Sequence, residues 1–273
     1  MSECTHDCST CGESCGERDP KSLIKPANAM SKINKVIAVV SGKGGVGKSM
    51  VTALMATAMQ QKGYTGAILD ADVTGPSIPQ MFGVHEHAQG SEDGIFPAVT
   101  KGGIRLMSVN LLLPNEDDPV VWRGPVIAGT VEQFWTDVLW ENVDYMFVDM
   151  PPGTGDVPLT VFQSLPVDGI LVVTSPQELV GMIVGKAVKM ADLMKIPVLG
   201  IVENMAYFEC PNCKEKHYIF GDSNLTKIAE KYGIRHTAQI PMDPNLSALS
   251  DAGTIEECKG EWLNDLADMI TSI

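Results

Sequence analysis

Five apolar runs punctuate the chain: VIAVVS (36–41), GAILD (66–70), YMFVD (145–149), GILVVT (169–174) and VLGIVEN (198–204). Each is short and nearly continuous in apolar residues. None shows the apolar–polar alternation of a strand with one wet face. Runs of this kind predict strands covered on both faces, as in a parallel sheet. Between most of them the apolar positions recur at helical spacing, near 48–62, 126–140, 178–194 and 223–232. Shorter strands are expected near 104–109 and 236–240. Strands alternating with helices, joined by right-handed crossovers, predict an α/β fold with a doubly wound, mostly parallel sheet. Residues 1–30 break the pattern: they are rich in Cys, Ser, Glu, Gly and Pro, with no usable apolar period. They are expected to form a Cys-rich, metal- or cluster-binding tail on one domain spanning about 31–273, ordered only when something binds the cysteines.

The first strand runs straight into GKGGVGKS and then into a helical pattern. Strand, glycine loop and helix in that order make a phosphate-binding P-loop. Glycines let backbone N–H groups turn inward around phosphate oxygens, and the helix N-terminus adds positive potential. The nucleotide-binding candidates are therefore Gly42, Lys43, Gly44, Gly45, Val46, Gly47, Lys48, Ser49 and Met50. Lys48 is expected to reach the β- and γ-phosphates of ATP and Ser49 to ligate Mg²⁺. Two further strands end in acids, in LDADVTGPS (69–77) and FVDMPPGTGD (147–156). Asp70, Asp72 and Asp149 would thus reach the carboxyl edge of the sheet, where ligands bind in such folds. Asp70 and Asp149 are read as facing Mg²⁺, and the stiff turn of Pro151, Pro152 and Gly153 as sensing the γ-phosphate through its backbone.

Composition narrows the partners. The 273 residues carry a net charge of −14, and 44% are apolar. Such acidity argues against a nucleic-acid groove or an anionic membrane surface, both of which require clustered Lys and Arg. The polar N-terminus does not read as a signal peptide, and no apolar stretch approaches the ~20 residues a membrane span needs. A cytoplasmic protein is expected. Seven cysteines in a reducing compartment then point to metal or redox chemistry. Cys210-Pro-Asn-Cys213 supplies two thiolates, which do not close a tetrahedral site; two copies of the chain would supply four. A zinc site completed by His217 or a partner chain is the alternative. A thioredoxin-like redox pair is disfavoured, because such pairs open a helix and Pro211 fits that poorly. Cys4, Cys8, Cys11 and Cys15 could hold a whole cluster within one chain, with zinc again the alternative and His6 a competing ligand. Cys258 has no nearby partner and reads as a bystander.

GKGGVGKS, LDADVTGPSIP and VDMPPGTGD together resemble the deviant P-loop ATPases (SIMIBI type). Within them the chain is most similar to the Mrp/ApbC-type iron–sulfur cluster carriers, over nearly all of 31–273. The resemblance implies that Lys43 crosses a homodimer interface to the partner's nucleotide, supplying a cation in trans to the phosphoryl-transfer transition state. It implies that Asp72 is associated with the attacking water, that Asn204 reads adenine, and that Pro241 and Met242 pack on the base. It implies that Cys210 and Cys213 belong to a C-P-x-C motif holding a bridging 4Fe–4S cluster, delivered to apo iron–sulfur proteins by an ATP-hydrolysing carrier. Some scaffolds of this family also carry an N-terminal four-cysteine site, though the eukaryotic cytosolic ones space it more widely. Three other functions fit the sequence less well. A spatial regulator of the MinD/ParA kind needs a basic surface or tail that the chain lacks. A nitrogenase-type reductase needs cluster cysteines between Cys15 and Cys210. A pure metal-binding module with a vestigial nucleotide site does not fit intact Lys48, Ser49, Asp72 and Asp149; a zinc-binding P-loop regulator stays as an alternative to the cluster carrier. Gly181-x3-Gly185 is read as part of an ordinary half-buried helix near the dimer contact, and the amphipathic but acidic EWLNDLADMITSI as no membrane anchor.

Overall fold

The computed structural model describes residues 23–273 apart from 74, 76, 116–121, 123, 154 and 177–179. In chain order the sheet strands are β1 (Lys32–Ser41), β2 (Gly66–Asp70), β3 (Ala98–Val99), β4 (Arg105–Met107), β5 (Asn142–Asp149), β6 (Gly169–Thr174) and β7 (Val198–Glu203). A two-stranded hairpin follows, β8 (Phe208–Glu209) and β9 (Lys216–His217), and then the last sheet strand, β10 (Thr237–Gln239). The helices are α1 (Lys48–Gln61), α2 (Ile78–Met81), α3 (Gly124–Thr136), α4 (Asp156–Ser164), α5 (Val180–Met194), α6 (Leu225–Tyr232), α7 (Pro244–Asp251) and α8 (Asn264–Ile270).

The eight-stranded sheet runs β10-β7-β6-β1-β5-β2-β4-β3. Every pairing is parallel except β3 with β4 at one edge. The five apolar runs of the sequence become the five central strands. Ile37, Ile68, Phe147, Leu171 and Ile201 are all fully buried, because helices cover both faces. The central helix α1 is buried almost throughout, Val51 to Thr57 included, as it lies between the sheet and neighbouring elements. Among the described residues no helix is long and apolar enough to cross a membrane.

Residues 25–28, which the sequence reads as tail, are held on the domain. The Lys25 N–H donates to the Ser164 carbonyl, Trp135 Nε1 donates to the Lys25 carbonyl, and Ala27 packs on the core. The glycines of α5 serve neighbours in the same chain. A Cβ on Gly185 would strike the Tyr232 hydroxyl of α6, and that hydroxyl donates to the Gly181 carbonyl at 3.2 Å. The Gly-x3-Gly spacing therefore seats α6 against α5, as in an ordinary half-buried helix.

Candidate nucleotide and metal site

Parallel register brings the carboxyl ends of β1, β2, β5, β6 and β7 to one edge, and the candidate residues gather there. β1 ends at Ser41, whose hydroxyl donates to the Lys43 carbonyl at 3.0 Å. Gly45 and Gly47 both adopt φ 77°, the left-handed region that glycine enters without steric penalty. A Cβ at Gly47 would also collide with the Asn204 amide. Gly42 is pressed against Ile183 of α5 just as closely. The loop wraps a 290 Å³ cavity at the start of α1, bordered by Gly44, Gly47, Lys48, Ser49, Asp72 and Pro152. The peptide turn after β5 is fastened to the same strand. The Gly153 N–H donates to the Ser41 carbonyl at 2.9 Å, so this amide braces the loop.

Beneath the cavity lies a buried network of acids. Asp149 is fully buried and accepts from Lys48 Nζ at 2.7 Å, Ser49 Oγ at 2.6 Å and Thr52 Oγ1 at 2.9 Å. Lys48 is shared with Asp72, whose Oδ2 is 3.5 Å away. Asp70 pairs in register with Asp149 across the sheet. It accepts from Ser108 Oγ at 3.0 Å and from the Asp72 N–H at 3.1 Å. Burial, followed by the charge of Asp149, pushes the Asp70 carboxyl well above its usual range, while Lys48 and Ser108 pull the other way. Asp149 and Asp72 thus share one ammonium, with the buried Asp70 beside them. That surplus of hard, anionic oxygen suits a divalent cation such as Mg²⁺, which takes one or two carboxylates, a hydroxyl and phosphate oxygens rather than a full protein cage. Sequence reading missed Thr52 and Ser108. The Lys48-x3-Thr52 spacing, one turn on α1, was a usable sign for the first; nothing local marked the second.

A second cavity, 730 Å³, adjoins the loop beyond Gly47. Asn204, Pro241 and Met242 line it, together with Met50 and with Phe208, which sequence reading also missed. The Asn204 amide donates to the Val46 carbonyl at 3.0 Å, so this strand-end side chain is locked to the phosphate loop. The walls are stitched together by the Ala206 N–H to the Ile240 carbonyl and the Met242 N–H to the Tyr207 carbonyl. The shape is that of a largely apolar slot leading out of a phosphate cradle.

Cys210 and Cys213 occupy the turn between β8 and β9. Cys210 is half-buried and Cys213 exposed. The Cys210 N–H donates to the Glu215 carbonyl, the Lys214 N–H donates to the Cys210 carbonyl, and Lys214 at φ 62° closes the turn. Amide hydrogen bonds from Cys213 and then Asn212 hold the Cys210 thiol below its ordinary range, with the Cys213 thiol and Lys214 acting the same way. His217 is the cross-strand partner of Phe208. Among the described residues no group of three or more His, Cys, Asp or Glu side chains is arranged to hold a metal ion, so this turn offers two sulfurs per chain. Cys258 is buried under the domain, where desolvation pushes its thiol up. Cys4, Cys8, Cys11 and Cys15 lie outside the described residues.

A parallel sheet, a glycine loop between β1 and α1, and strand-end acids beside the loop lysine define a P-loop NTPase. The family model "ParA: NUBPL iron-transfer P-loop NTPase" matches residues 32–273, and the chain belongs to that family. It is 43% identical over 269 residues to the iron–sulfur cluster carrier protein of Methanocaldococcus jannaschii, covering 95% of this chain and 93% of the relative. Among solved structures it is similar to a nucleotide-binding protein in complex with ADP from Archaeoglobus fulgidus, with a TM-score of 0.77 and 46% identity, covering 85% of this chain and 91% of that one. The MinC:MinD cell division complex of Aquifex aeolicus shares the fold, with a TM-score of 0.64 at 19% identity over 88% of this chain and 96% of that one.

Proposed function

We propose that this chain is an ATP-binding and ATP-hydrolysing iron–sulfur cluster carrier, working as a homodimer that passes a 4Fe–4S cluster to apo-proteins. The observation that carries the reading is the pairing of the phosphate cradle with a two-sulfur turn that one chain leaves incomplete. The likeness to relatives named as cluster carriers supports it.

In this reading ATP lies with its phosphates in the glycine loop and its base in the slot of Asn204, Pro241 and Met242. Lys48 leaves Asp149 to neutralise the β- and γ-phosphates. Ser49, Asp70 and Asp149 hold Mg²⁺, which shields phosphate charge when bound. Asp72, at the open side of the cavity, orients the attacking water. Lys43, half-buried in the loop, is the residue assigned to the partner's nucleotide. The cluster is cargo: two copies of Cys210 and Cys213 would grip it at a twofold axis, where it can be surrendered.

Anaerobic reconstitution with iron and sulfide tests the reading. Iron, sulfide and zinc are counted per chain, and mass is measured in solution, for wild type, for Cys210→Ala and for a protein lacking the four tail cysteines. The tail variant should hold about four irons per dimer and transfer them to an apo-acceptor; zinc or an empty, monomeric protein would overturn the reading.

A further inference from the structure

Phe208 lines the slot beside the phosphate loop, and Cys210 follows two residues later. The chain between these functions is tied down on the slot side. Met205 turns out of β7 with φ 57°, and the carbonyl of Tyr207 is held by the Met242 N–H at 2.7 Å. Tyr207 is buried and ties β9 to the same root: the Lys216 ammonium sits over its ring at 4.1 Å, and the Tyr218 ring centroid is 6.2 Å away. The far end of the excursion returns to the end of β7. Glu203, buried directly before Asn204, accepts from Ser223 Oγ at 2.6 Å and from Gln239 Nε2 at 2.7 Å.

Between these anchors stands a hairpin with two residues in each strand, which is marginal by itself in water. Its order depends on what packs against it. Phe208 is the hairpin residue that lines the slot, so a flat aromatic ligand packed on its ring would add contacts to the hairpin's root.

We propose that Phe208 is the positioning residue through which a nucleotide base in the slot sets the order of the Cys210–Cys213 turn. This rests on the reading of the slot as the base site. A base against Phe208 suppresses local opening of the hairpin and holds the two sulfurs in one geometry; phosphates alone, bound in the glycine loop, do not reach it. Nucleotide state is thereby communicated to the sulfur pair within one chain, before any contact between chains.

Alkylation of the reduced, full-length chain by iodoacetamide tests the proposal, with the peptide spanning Cys210 and Cys213 followed by mass spectrometry and ADP binding followed by calorimetry. Saturating Mg-ADP should slow alkylation of that peptide about threefold or more in wild type, and inorganic tripolyphosphate should not. Phe208→Ala should bind ADP more weakly and, at ADP concentrations that calorimetry shows to be saturating for that variant, should still lose the protection, whereas Phe208→Tyr should keep it. Bound ADP with an unchanged alkylation rate, equal protection by tripolyphosphate, or full protection in Phe208→Ala would overturn the proposal. If Phe208→Ala does not fold, the wild-type comparison of ADP with tripolyphosphate decides alone. Failure of wild type to bind ADP at all is a separate outcome and removes the base-site reading itself.

Discussion

Lys48 Nζ stands 2.7 Å from Asp149 Oδ1, joining the start of α1 to the end of β5 in a site where both side chains are almost fully buried. The pair performs two tasks. It joins the loop to the sheet edge, and in the proposed function it also holds the lysine on a carboxylate that nucleotide would displace.

Removing one member leaves the other charge buried and unpaired. Lys48→Ala is therefore expected to destabilise the protein by about 3 kcal/mol, measured by urea unfolding. Lys48→Met combined with Asp149→Asn should recover much of that loss while hydrolysing no ATP. A double variant as unstable as Lys48→Ala would show that the loss comes from loop packing and not from charge.

In the proposed function Asp70 serves Mg²⁺ at a cost to stability. Its folded-state pKa lies well above the unfolded value, first because of burial and then because of Asp149. Stability gained from its proton is fully present below about pH 4 and is lost as pH rises through the folded pKa. Asp70→Asn should accordingly raise the melting temperature of the nucleotide-free protein at pH 7 by a few degrees, about what 1 kcal/mol gives in a domain of this size. The gain should vanish at acidic pH, and Mg²⁺-dependent nucleotide binding should weaken. An equal gain at every pH would mean that the carboxylate charge is not its source.

Lys43→Ala should slow ATP hydrolysis by about a thousandfold, as loss of a cation supplied in trans does, with ADP affinity little changed. Mixing it with a chain that cannot hydrolyse for another reason should restore part of the rate if the lysine acts across the interface. Full-speed hydrolysis by the single variant would remove the idea.

Cys210→Ala or Cys213→Ala should abolish transfer of cluster to an apo-acceptor while iron bound by the tail cysteines is retained. Transfer at the wild-type rate would place the working site on Cys4, Cys8, Cys11 and Cys15.

The local chemistry was readable because it is local. A glycine loop must follow a strand and open a helix within a few residues, so GKGGVGKS announces its own context, and continuous apolar runs announce strands covered on both sides. Short helices such as α4 and α7 went unread, because their apolar positions are less confined to one face than those of α6, which is as short but was legible. The partners of the acids were less accessible still. Ser108 meets Asp70 across 38 residues and Thr52 meets Asp149 across 97, contacts created only when β4, β2, α1 and β5 stack side by side.

Strand order likewise turned a list of acids into a site. Asp70 and Asp149 become neighbours because β2 pairs with β5 in parallel register, and a sequence does not state its register. The amino acids alone thus dictated the central strands and longer helices, the phosphate loop and the presence of a two-sulfur turn, since each depends on residues adjacent along the backbone. Packing decided which charges share a dry pocket, which glycines hold a neighbouring helix, and that Phe208 walls the slot while Cys210 crowns the same hairpin, because those outcomes depend on distances that the chain acquires only by folding.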